Sequence, residues 1–430
     1  MNYAETIEYL YARLPMFTRI GAAAYKKDLH NTIALCNALQ NPQQHFKTIH
    51  IAGTNGKGSV SHMLAAILQQ AGYKTGLYTS PHIKHFGERI RINGEMIAEQ
   101  FVVNFVERTK AIVDDIEPSF FEMTVGMAFE YFAKEQVDIA VIETGLGGRL
   151  DSTNIISPEL SVITNIGYDH MNILGNTLEL IAHQKAGIIK PNVPAVLGEY
   201  LPQTKPIFEA EAALQSVKLV LASDVFNITE VYNQNNLLHC RVLNNNTQQS
   251  IQLQLDLNGW YQQQNLCTVL AAVEALRKKG YQISDEVMAT ALRSVKTLTG
   301  MRGRWDVVQH ENPTIIQDVA HNEDGIKQVL LQLKNNYPTA HYHFVLGFVS
   351  DKDVTHVLDL FPKEASYYFT NAHIARALPF QNLMELANSK DLKGKGYDDV
   401  NAAISAAKAT AAPNDVIMIC GSFFIIAEIA

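Results

Sequence analysis

The chain has 430 residues, of which 47% are hydrophobic and 18% charged, and its formal net charge is −8. This length predicts two or three domains, and this composition supplies enough apolar side chains for folded cores, which excludes a disordered chain. The negative charge argues against a protein that binds nucleic acid, because such surfaces are usually basic.

The chain carries no sequence signal for export or for a membrane. Its first segment, MNYAETIEYLYARLP, contains Glu and no apolar core of signal-peptide length. No run reaches the ~18 apolar residues that a membrane span requires. The cysteines at 36, 240, 267 and 420 form no CxxC pair, which is typical of core thiols in a reducing compartment. These features predict a cytoplasmic protein without a membrane partner.

From about residue 46, short apolar runs alternate with longer helical patterns. Strands are predicted at 46–53, 74–79, 137–143 and 160–165, and helices at 57–72, 120–136 and 177–190. The runs at 137–143 and 160–165 are apolar on both faces, as strands covered on both sides must be. This alternation predicts βαβ units and therefore an α/β fold with a parallel sheet.

The second half of the chain contains a short β-rich stretch and then a new alternation of strands and helices. Strand candidates at 217–222, 239–243 and 250–257 indicate a small β-rich extension, and helices are predicted at 261–280 and 285–295. The alternation restarts near residue 297, after the glycine-containing stretch KTLTGMRGR. We therefore predict two domains, 1–296 and 297–430, with this stretch as the hinge.

The strongest chemical signal is IAGTNGKGS at 51–59, which lies between a predicted strand and a predicted helix. Glycines allow backbone N–H groups to turn inward around an anion, and the helix adds its positive N-terminal end. Lys57 supplies a positive charge and Ser59 a hydroxyl for Mg²⁺. The spacing is shorter than G-x-x-x-x-G-K-[ST], and Gly58 separates Lys57 from Ser59. The alternative is a glycine turn with an incidental lysine.

Three further polar residues follow predicted parallel strands. Ser80 comes after 74–79, Glu143 ends 137–143, and the pair Asp169 and His170 comes after 160–165. Open α/β sheets bind ligands at this carboxyl edge, so Ser80, Glu143 and His170 can approach one Mg²⁺ beside a triphosphate. Taken singly, each has a structural alternative: a turn serine, a capping or ion-paired glutamate and a core histidine.

A second glycine cluster, ETGLGGRLDSTN at 143–154, contains Arg149 and Asp151. Its glycine content excludes a regular helix or strand. From local sequence, a substrate-facing loop and a tight strand-to-helix connection remain equally open.

These motifs occur in the order of a known family. IAGTNGKGS, TSPHIKHFGERIRING, FFEMTVGMAFEYF, ETGLGGRLDSTNI, TNIGYDH, LGNTLELIAHQKAGIIK and DVAHN together resemble folylpolyglutamate synthase/dihydrofolate synthase, a branch of the Mur ligase superfamily. The likeness extends from about residue 5 to 428. It implies a P-loop ATPase domain, a smaller Rossmann-like domain, and ATP in the cleft between them. It also implies a ligase that adds L-glutamate to dihydropteroate, to reduced folates or to both, through an acyl phosphate.

The resemblance also implies roles for individual residues. Those on the nucleotide side are Thr54, Asn55, Gly56, Lys57, Gly58 and Ser59 at the phosphates, Asn265 at the adenine, Arg304 at a phosphate and Asp318 at the ribose. Those on the metal are Ser80, Glu143, His170 and Lys185, the last as a carbamate that serves a second Mg²⁺. Those on the pterin side are Ile20, Gly21, Ser119, Phe120, Phe121, Glu122, Leu150, Asp151 and Ser152. Those near the incoming glutamate are His321 and Ser422. The family also favours a monomer.

The chain departs from the family pattern at two places. Before the second domain it has Met-Arg-Gly-Arg where the family often has Pro-Gly-Arg, so Arg302 competes with Arg304 for the phosphate. Gln184 stands before Lys185 where the family often has Glu, which changes the local charge but removes no implied ligand.

Lys57, Lys185 and His321 are the predicted catalytic residues, His321 either as the base for the glutamate amine or as an orienting group. Two rival functions share part of this pattern. Another Mur-type ligase of cell-wall precursors would keep the loop and metal site, but TSPHIKHFGERIRING argues against it. An ATP-binding regulatory protein would not need Glu143, His170 and Lys185 together. A dinucleotide oxidoreductase is weaker still, because no GxGxxG follows a strand. The sequence leaves open the acceptor, the tail length and linkage, and the oligomeric state.

Overall fold

Residues 1–16, 21, 26, 28–350 and 354–430 are described by the structure, which is a computed structural model. Their backbone divides into two units. The first unit is formed by residues 1–16, 26, 28–256 and 261–301, and the second by residues 21, 257–260, 302–350 and 354–430.

The chain passes from the first unit to the second between Met301 and Arg302, slightly after the predicted boundary at 296/297. A short helix, Val295–Thr299, spans that predicted boundary. It stays with the first unit because the Thr299 hydroxyl lies 2.8 Å from Nδ1 of His62, on a helix of that unit.

Within the described residues, the first unit contains a sheet of eight strands in the order β4-β3-β2-β5-β1-β6-β7-β8. The strands are β1 Lys47–Ala52, β2 Thr75–Tyr78, β3 Ile90–Ile92, β4 Glu95–Met96, β5 Ile139–Glu143, β6 Leu160–Ile163, β7 Ala195–Leu197 and β8 Leu219–Leu221. All neighbours pair in parallel except β2 with β3 and β3 with β4. The predicted parallel α/β sheet is confirmed.

Helices cover this sheet. They are Tyr3–Arg13, His30–Ala38, Lys57–Gln70, Glu99–Ile116, Phe120–Lys134, Met171–Leu174, Leu178–Ala186, Lys205–Leu214, Ala222–Val225, Gln262–Lys278, Asp285–Leu292 and Val295–Thr299, with 3₁₀ turns at Pro42–Gln44, Phe86–Arg89 and Ser152–Ile155. The helix Lys57–Gln70 is buried all round from Ser59 to Leu68, because three of the other helices pack on it. This burial fixes the start of the helix, at which the phosphate loop ends.

A separate antiparallel sheet follows, formed by β9 Phe226–Gln234, β10 Leu237–Asn244 and β11 Gln249–Leu255. It is the predicted β-rich extension, with one correction. The candidate at 217–222 does not belong to it, because β8 pairs in parallel with β7 and becomes the edge of the large sheet. The sequence also missed β9, whose polar residues alternate with partly buried ones and give little apolar signal.

In the described part of the second unit, six strands form a sheet in the order β12-β13-β17-β14-β15-β16, parallel except for β12 with β13. The strands are β12 Asp306–Gln309, β13 Thr314–Gln317, β14 Tyr342–Leu346, β15 Ser366–Phe369, β16 Gly394–Gly396 and β17 Val416–Cys420. The helices are Glu323–Asn336, Thr355–Leu358, Phe380–Asn388, Val400–Thr410 and Phe423–Glu428. This is the smaller α/β domain that was expected, with two edge strands, β12 and β16, and two helices, Phe380–Asn388 and Phe423–Glu428, that were not predicted. No helix in the described ranges is long and apolar enough to cross a membrane.

Candidate active site

The predicted site residues of the first unit follow four neighbouring parallel strands. Glu143 at the end of β5 pairs with Ile51 of β1, and β6 lies on the other side of β1. Strand β2 flanks β5. The segments after these four strands therefore begin at one carboxyl edge, where open α/β sheets bind ligands.

The phosphate loop rests on the segment that follows β6. The Thr54 and Asn55 amides donate to the carbonyl and side-chain oxygens of Asn165, at 3.1 and 2.8 Å. The Thr54 hydroxyl lies 3.0 Å from both the carbonyl oxygen and the amide of Gly167. These bonds hold the loop in a fixed shape while the helix Lys57–Gln70 begins at Gly56 without a side-chain cap. Such a helix start is suited to an anion.

Two glycines of the loop are required by close packing. A Cβ at Gly53 would lie 1.8 Å from the Thr164 hydroxyl oxygen, and one at Gly56 would lie 2.2 Å from Oδ1 of Asn265. Gly56 also has a φ of +82°, which disfavours other residues. The loop is thus a cradle that a side chain would fill, and the residues present fit a bound polyphosphate.

Two lysines converge on one carbonyl oxygen of this loop. Lys57 Nζ donates to the Gly53 carbonyl at 3.1 Å and to that of Thr54 at 3.2 Å, while Lys185 Nζ donates to the Gly53 carbonyl at 2.7 Å. Lys185 is 3% exposed. Burial, followed by the positive charge of Lys57, lowers its pKa from 10.5 to about 7. Near neutral pH, much of Lys185 is therefore an uncharged amine.

Glu143 ends the strand beside the one that leads into this loop. It is 4% exposed, and one of its oxygens accepts a hydrogen bond from the Ser80 amide at 3.2 Å. His170 begins a short helix with a φ of +50°, and its Nε2 lies 3.8 Å from Oδ1 of Asp169. Across the described residues, no three His, Cys, Asp or Glu side chains gather as a metal cluster. The buried Glu143 carboxylate is the kind of oxygen ligand that Mg²⁺ prefers.

The loop that carries Ser80 is held by the turn Phe86–Arg89. The Glu88 carboxylate accepts from the amides of Ile83, Lys84 and His85, at 2.7, 3.1 and 3.0 Å. Buried Arg89 donates from Nε to Nδ1 of His82 at 2.7 Å. Sequence analysis assigned no role to Glu88, although it lies within the TSPHIKHFGERIRING motif.

Most side chains of the predicted pterin-side segment at 119–122 are buried and stabilise the fold. Ser119 and Glu122 form a capping box at the start of the helix Phe120–Lys134, and both are buried. Phe120 is buried and packs against other aromatic rings. Phe121 is partly exposed and lies on the second glycine cluster, since a Cβ at Gly145 would fall 2.4 Å from its ring. Within this segment, Phe121 is the one side chain that is partly exposed.

The remaining pterin-side residues differ in exposure. Buried Asp151 accepts from the Leu146 amide at 2.8 Å, and burial raises its pKa. It shapes the glycine cluster, whereas Leu150 and Ser152 are partly exposed. Gly21 is described, with a φ of +62°, but the predicted Ile20 lies outside the described residues.

The glycine cluster is joined to the helix that carries Lys185. Asn154 Nδ2 donates to the carbonyl oxygens of Arg149 and Gly187, both at 3.0 Å. A Cβ at Gly148 would lie 3.0 Å from the Lys185 Cα. The cluster leads into a 3₁₀ turn and then β6, so it is not a strand-to-helix connection of the usual kind.

The predicted adenine contact lies at the start of the helix Gln262–Lys278. Asn265 Nδ2 donates to Oε1 of Gln262 at 2.8 Å, and Gln262 Nε2 donates to the Ser59 hydroxyl at 3.1 Å. Sequence analysis missed Gln262. The available signal was its position one helical turn before Asn265, on the same face.

The predicted residues of the second unit form their own cluster around Phe423. The Arg304 guanidinium lies 5.1 Å from the centre of its ring, and the His321 ring centre lies 6.1 Å away. Ser422 caps the helix Phe423–Glu428. Buried Asp318 accepts from the amides of Trp305 and Ala320, both at 2.8 Å, and so fixes the backbone on either side.

The fold and the phosphate loop, together with two family matches, define the class of enzyme. The Mur ligase middle domain matches residues 51–273, and the Mur ligase glutamate ligase domain matches residues 303–423. The chain is therefore a Mur ligase.

Individual relatives identify the family within this class of enzyme. The dihydrofolate synthase/folylpolyglutamate synthase of Bacillus subtilis (strain 168) is 32% identical over 447 residues, covering 99% of this chain and 98% of the relative. The folylpolyglutamate synthase of Lacticaseibacillus casei is 32% identical over 438 residues, covering 99% and 97%. Escherichia coli FolC in complex with DHPP and ADP superposes with a TM-score of 0.84 at 28% identity, covering 99% and 96%. The chain belongs to the dihydrofolate synthase/folylpolyglutamate synthase family and is an ATP-dependent ligase that joins glutamate to folates.

Proposed function

We propose that this enzyme accepts both dihydropteroate and reduced folates, activating the carboxylate of either as an acyl phosphate. The observation that carries the proposal is the convergence of Lys57 and Lys185 on the Gly53 carbonyl, at the rim of a glycine cradle. Support for two acceptors comes from the Bacillus subtilis relative, which is named for both activities, and from the DHPP bound to Escherichia coli FolC.

The chemistry requires charge compensation. The acceptor carboxylate attacks the γ-phosphorus of ATP, the bond to ADP breaks, and the acyl phosphate forms. The glutamate amine then attacks the acyl carbon, phosphate leaves, and the amine loses a proton. Both reactants of the first step are anions, so the loop amides and Lys57 stabilise the transferring group. As the phosphate contact of the second unit we propose Arg304 rather than Arg302, because the Arg304 guanidinium is held against Phe423.

We further propose that Ser80, Glu143 and His170 hold Mg²⁺ with the phosphate oxygens and water. When bound, the ion neutralises developing charge on the phosphates. Glu143→Ala should therefore raise the Mg²⁺ concentration needed for half-maximal activity, while binding of dihydropteroate survives in part. An unchanged magnesium titration would contradict this assignment.

Lys185 is proposed to carry a carbamate and to serve a second Mg²⁺. Carbon dioxide reacts with an uncharged amine: the nitrogen attacks the carbon, a proton leaves, and an anionic group with two oxygens remains. The lowered pKa of Lys185 supports this reaction, since burial and Lys57 both favour the uncharged amine. The product reverses the charge beside Lys57 and offers the oxygen ligands that Mg²⁺ prefers.

In the second unit, we propose that His321 and Ser422 contact the incoming glutamate and that Asp318 contacts the ribose. The clustering of His321 with Arg304 around Phe423 supports a shared role for these two residues in substrate binding. His321 acts either as the base for the amine or as an orienting group. Solvent-exchange and pH profiles of His321→Gln would separate the two, because only a base should alter the limb that reports its protonation.

One assay tests the proposed substrates. Purified enzyme with ATP, Mg²⁺ and glutamate is supplied separately with dihydropteroate, tetrahydrofolate and a nucleotide-sugar precursor of the cell wall. We expect glutamate-dependent phosphate release with the first two and none with the third. Release with tetrahydrofolate alone would reduce the function to folate extension.

We also propose a cytoplasmic monomer. All four cysteines lie in described residues, are buried and form no disulfide, in keeping with a reducing compartment. Light scattering coupled to size-exclusion chromatography would test the oligomeric state.

A further inference from the structure

Gln262 uses both ends of its side-chain amide within the nucleotide site. It is fully buried and is the first residue of the helix Gln262–Lys278. Its Nε2 donates to the Ser59 hydroxyl at 3.1 Å, and its Oε1 accepts from Nδ2 of Asn265 at 2.8 Å. One side chain thus bridges the phosphate loop and the proposed adenine contact.

With the Ser59 hydroxyl accepting from Gln262, this bridge determines which way the Asn265 amide faces. A terminal amide has an oxygen that only accepts and a nitrogen that only donates. Because Gln262 presents an acceptor, Asn265 must turn its NH₂ group toward it. The Asn265 oxygen then lies against Gly56, where a Cβ would come within 2.2 Å. Without the Gln262 acceptor, the two orientations of Asn265 would no longer be distinguished by this bond.

We infer that Gln262 is a positioning residue that sets the purine preference of the enzyme through Asn265. The inference rests on the proposed contact between Asn265 and the purine base. With its amide fixed, Asn265 offers its oxygen to a purine that carries an amino group at C6. A purine with an oxygen at C6 would place two acceptors face to face, and an unpaired acceptor is costly in a buried site. ATP should therefore be favoured over ITP.

Two substitutions separate this role from a general packing role. Gln262→Met keeps the length of the side chain but removes both hydrogen bonds. Gln262→Glu keeps an acceptor for Asn265 Nδ2 while losing the N–H that meets Ser59. The carboxylate also places negative charge near the triphosphate, which should weaken ATP and ITP alike. The purine preference should thus fall in the first variant and persist in the second.

Gln264 provides a matched control. It has the same side chain, lies in the same turn of the helix and is exposed. Gln264→Met should leave both the nucleotide affinity and the purine preference unchanged. Asn265→Ala tests the premise, because it should abolish the preference.

The experiment measures kcat/KM for ATP and for ITP with full-length enzyme at saturating tetrahydrofolate and glutamate. The ratio should fall about tenfold in Gln262→Met, the size of one misdirected hydrogen bond, and change less than about twofold in Gln262→Glu and Gln264→Met. Thermal unfolding of each variant monitors folding. If Gln262→Met does not fold, Gln262→Asn, which is too short to make either bond, takes its place.

The results that would contradict this inference can be told apart from one another. A parental ratio retained by Gln262→Met while Asn265→Ala loses it would overturn the role of Gln262 and leave the adenine contact intact. An equal loss in Gln262→Met and Gln262→Glu would show that the acceptor on Gln262 does not orient Asn265. A parent enzyme without preference, or an unaffected Asn265→Ala, would overturn both the premise and the inference. Glutamate-dependent turnover of the parent would still support the ligase function in each case.

Discussion

Gly53 and Thr164 offer a sharp test of how the phosphate loop is packed. In Gly53→Ala, the new Cβ would lie 1.8 Å from Oγ1 of Thr164, 3.1 Å from its Cβ and 3.2 Å from its amide nitrogen. Only the first contact is impossible, and it involves one removable atom. Thr164→Ala should therefore relieve most of the collision.

The cost can be estimated from the contacts. Thr164 Oγ1 donates to the carbonyl oxygen of Asn55, so moving it away sacrifices a hydrogen bond of about 1 kcal/mol. Overpacking a buried site costs about 1–3 kcal/mol more. We expect Gly53→Ala to lose about 2–4 kcal/mol in total, and Thr164→Ala alone to lose about 1 kcal/mol. The double variant should resemble Thr164→Ala apart from the strain of an alanine at the Gly53 φ of +157°, which both Gly53 variants share.

The assay combines unfolding with function. Urea unfolding of the parent, both single variants and the double variant gives the coupling free energy, which should be about 2–4 kcal/mol in favour of the double variant. ATP affinity should rank the variants in the same order as stability, because the Gly53 carbonyl oxygen accepts hydrogen bonds from Lys57 and Lys185. Strictly additive losses would refute the collision, and so would a Gly53→Ala variant as stable as the parent.

Four further outcomes follow from the same contacts. Lys57→Ala should keep the circular dichroism spectrum of the parent, because the Lys57 amine bonds to loop carbonyls and not to the core. Its ligase activity should fall at least about a hundredfold, because a positive charge at the phosphates is lost. Near-normal turnover would contradict the phosphate-loop assignment. Lys185→Arg should be as inactive as Lys185→Ala, because arginine cannot form a carbamate; an active arginine variant would show that a cation suffices. Glu88→Gln should raise the Mg²⁺ requirement about three- to tenfold by loosening the Ser80 loop, whereas exposed Glu95→Gln should not; matching titrations would count against the loop's role. Burial, followed by the charge of Lys190, lowers the His50 pKa from 6.5 to about 3. The unfolded chain therefore binds the extra proton first, and stability should fall below pH 6.5 by up to about 1.4 kcal/mol per pH unit; urea midpoints of His50→Gln should show a shallower slope, and an unchanged slope would exclude His50 as its source.

Much of the fold could be predicted because its signals are local. Strands β5 and β6 are apolar on both faces, and the glycine loop stands between a strand and a helix, so the parallel sheet follows from periodicity. Strand β8 was misassigned because VKLVLA suits either sheet, and its parallel partner β7 is distant in sequence. Strand β9 was missed because its exposed face is polar.

The site was only partly accessible from sequence for a related reason. A motif identifies residues that meet a ligand, but not those that hold them in place. Glu88, Asn154 and Gln262 bond to backbone or to other site residues, and such pairings depend on tertiary contacts. Conversely, Glu122 matched a pterin-side segment, yet it is buried as a helix cap. The carbamate on Lys185 stays a prediction, although the lowered pKa that it needs is present.

The strap at 257–260 constrains how this enzyme can exchange parts with its relatives. It belongs to the second unit, and fully buried Gln332 holds it by accepting from the Trp260 amide at 2.7 Å and donating to the Asn258 carbonyl at 2.9 Å. A gene fusion that joins a foreign C-terminal half at residue 302 would take the strap from one parent and the residue at position 332 from the other. Where that residue is not glutamine, both hydrogen bonds are lost, which costs about 1–3 kcal/mol for the polar groups left unpaired. Viable chimaeras should therefore be those whose C-terminal parent has glutamine at position 332, because the strap offers it only backbone groups.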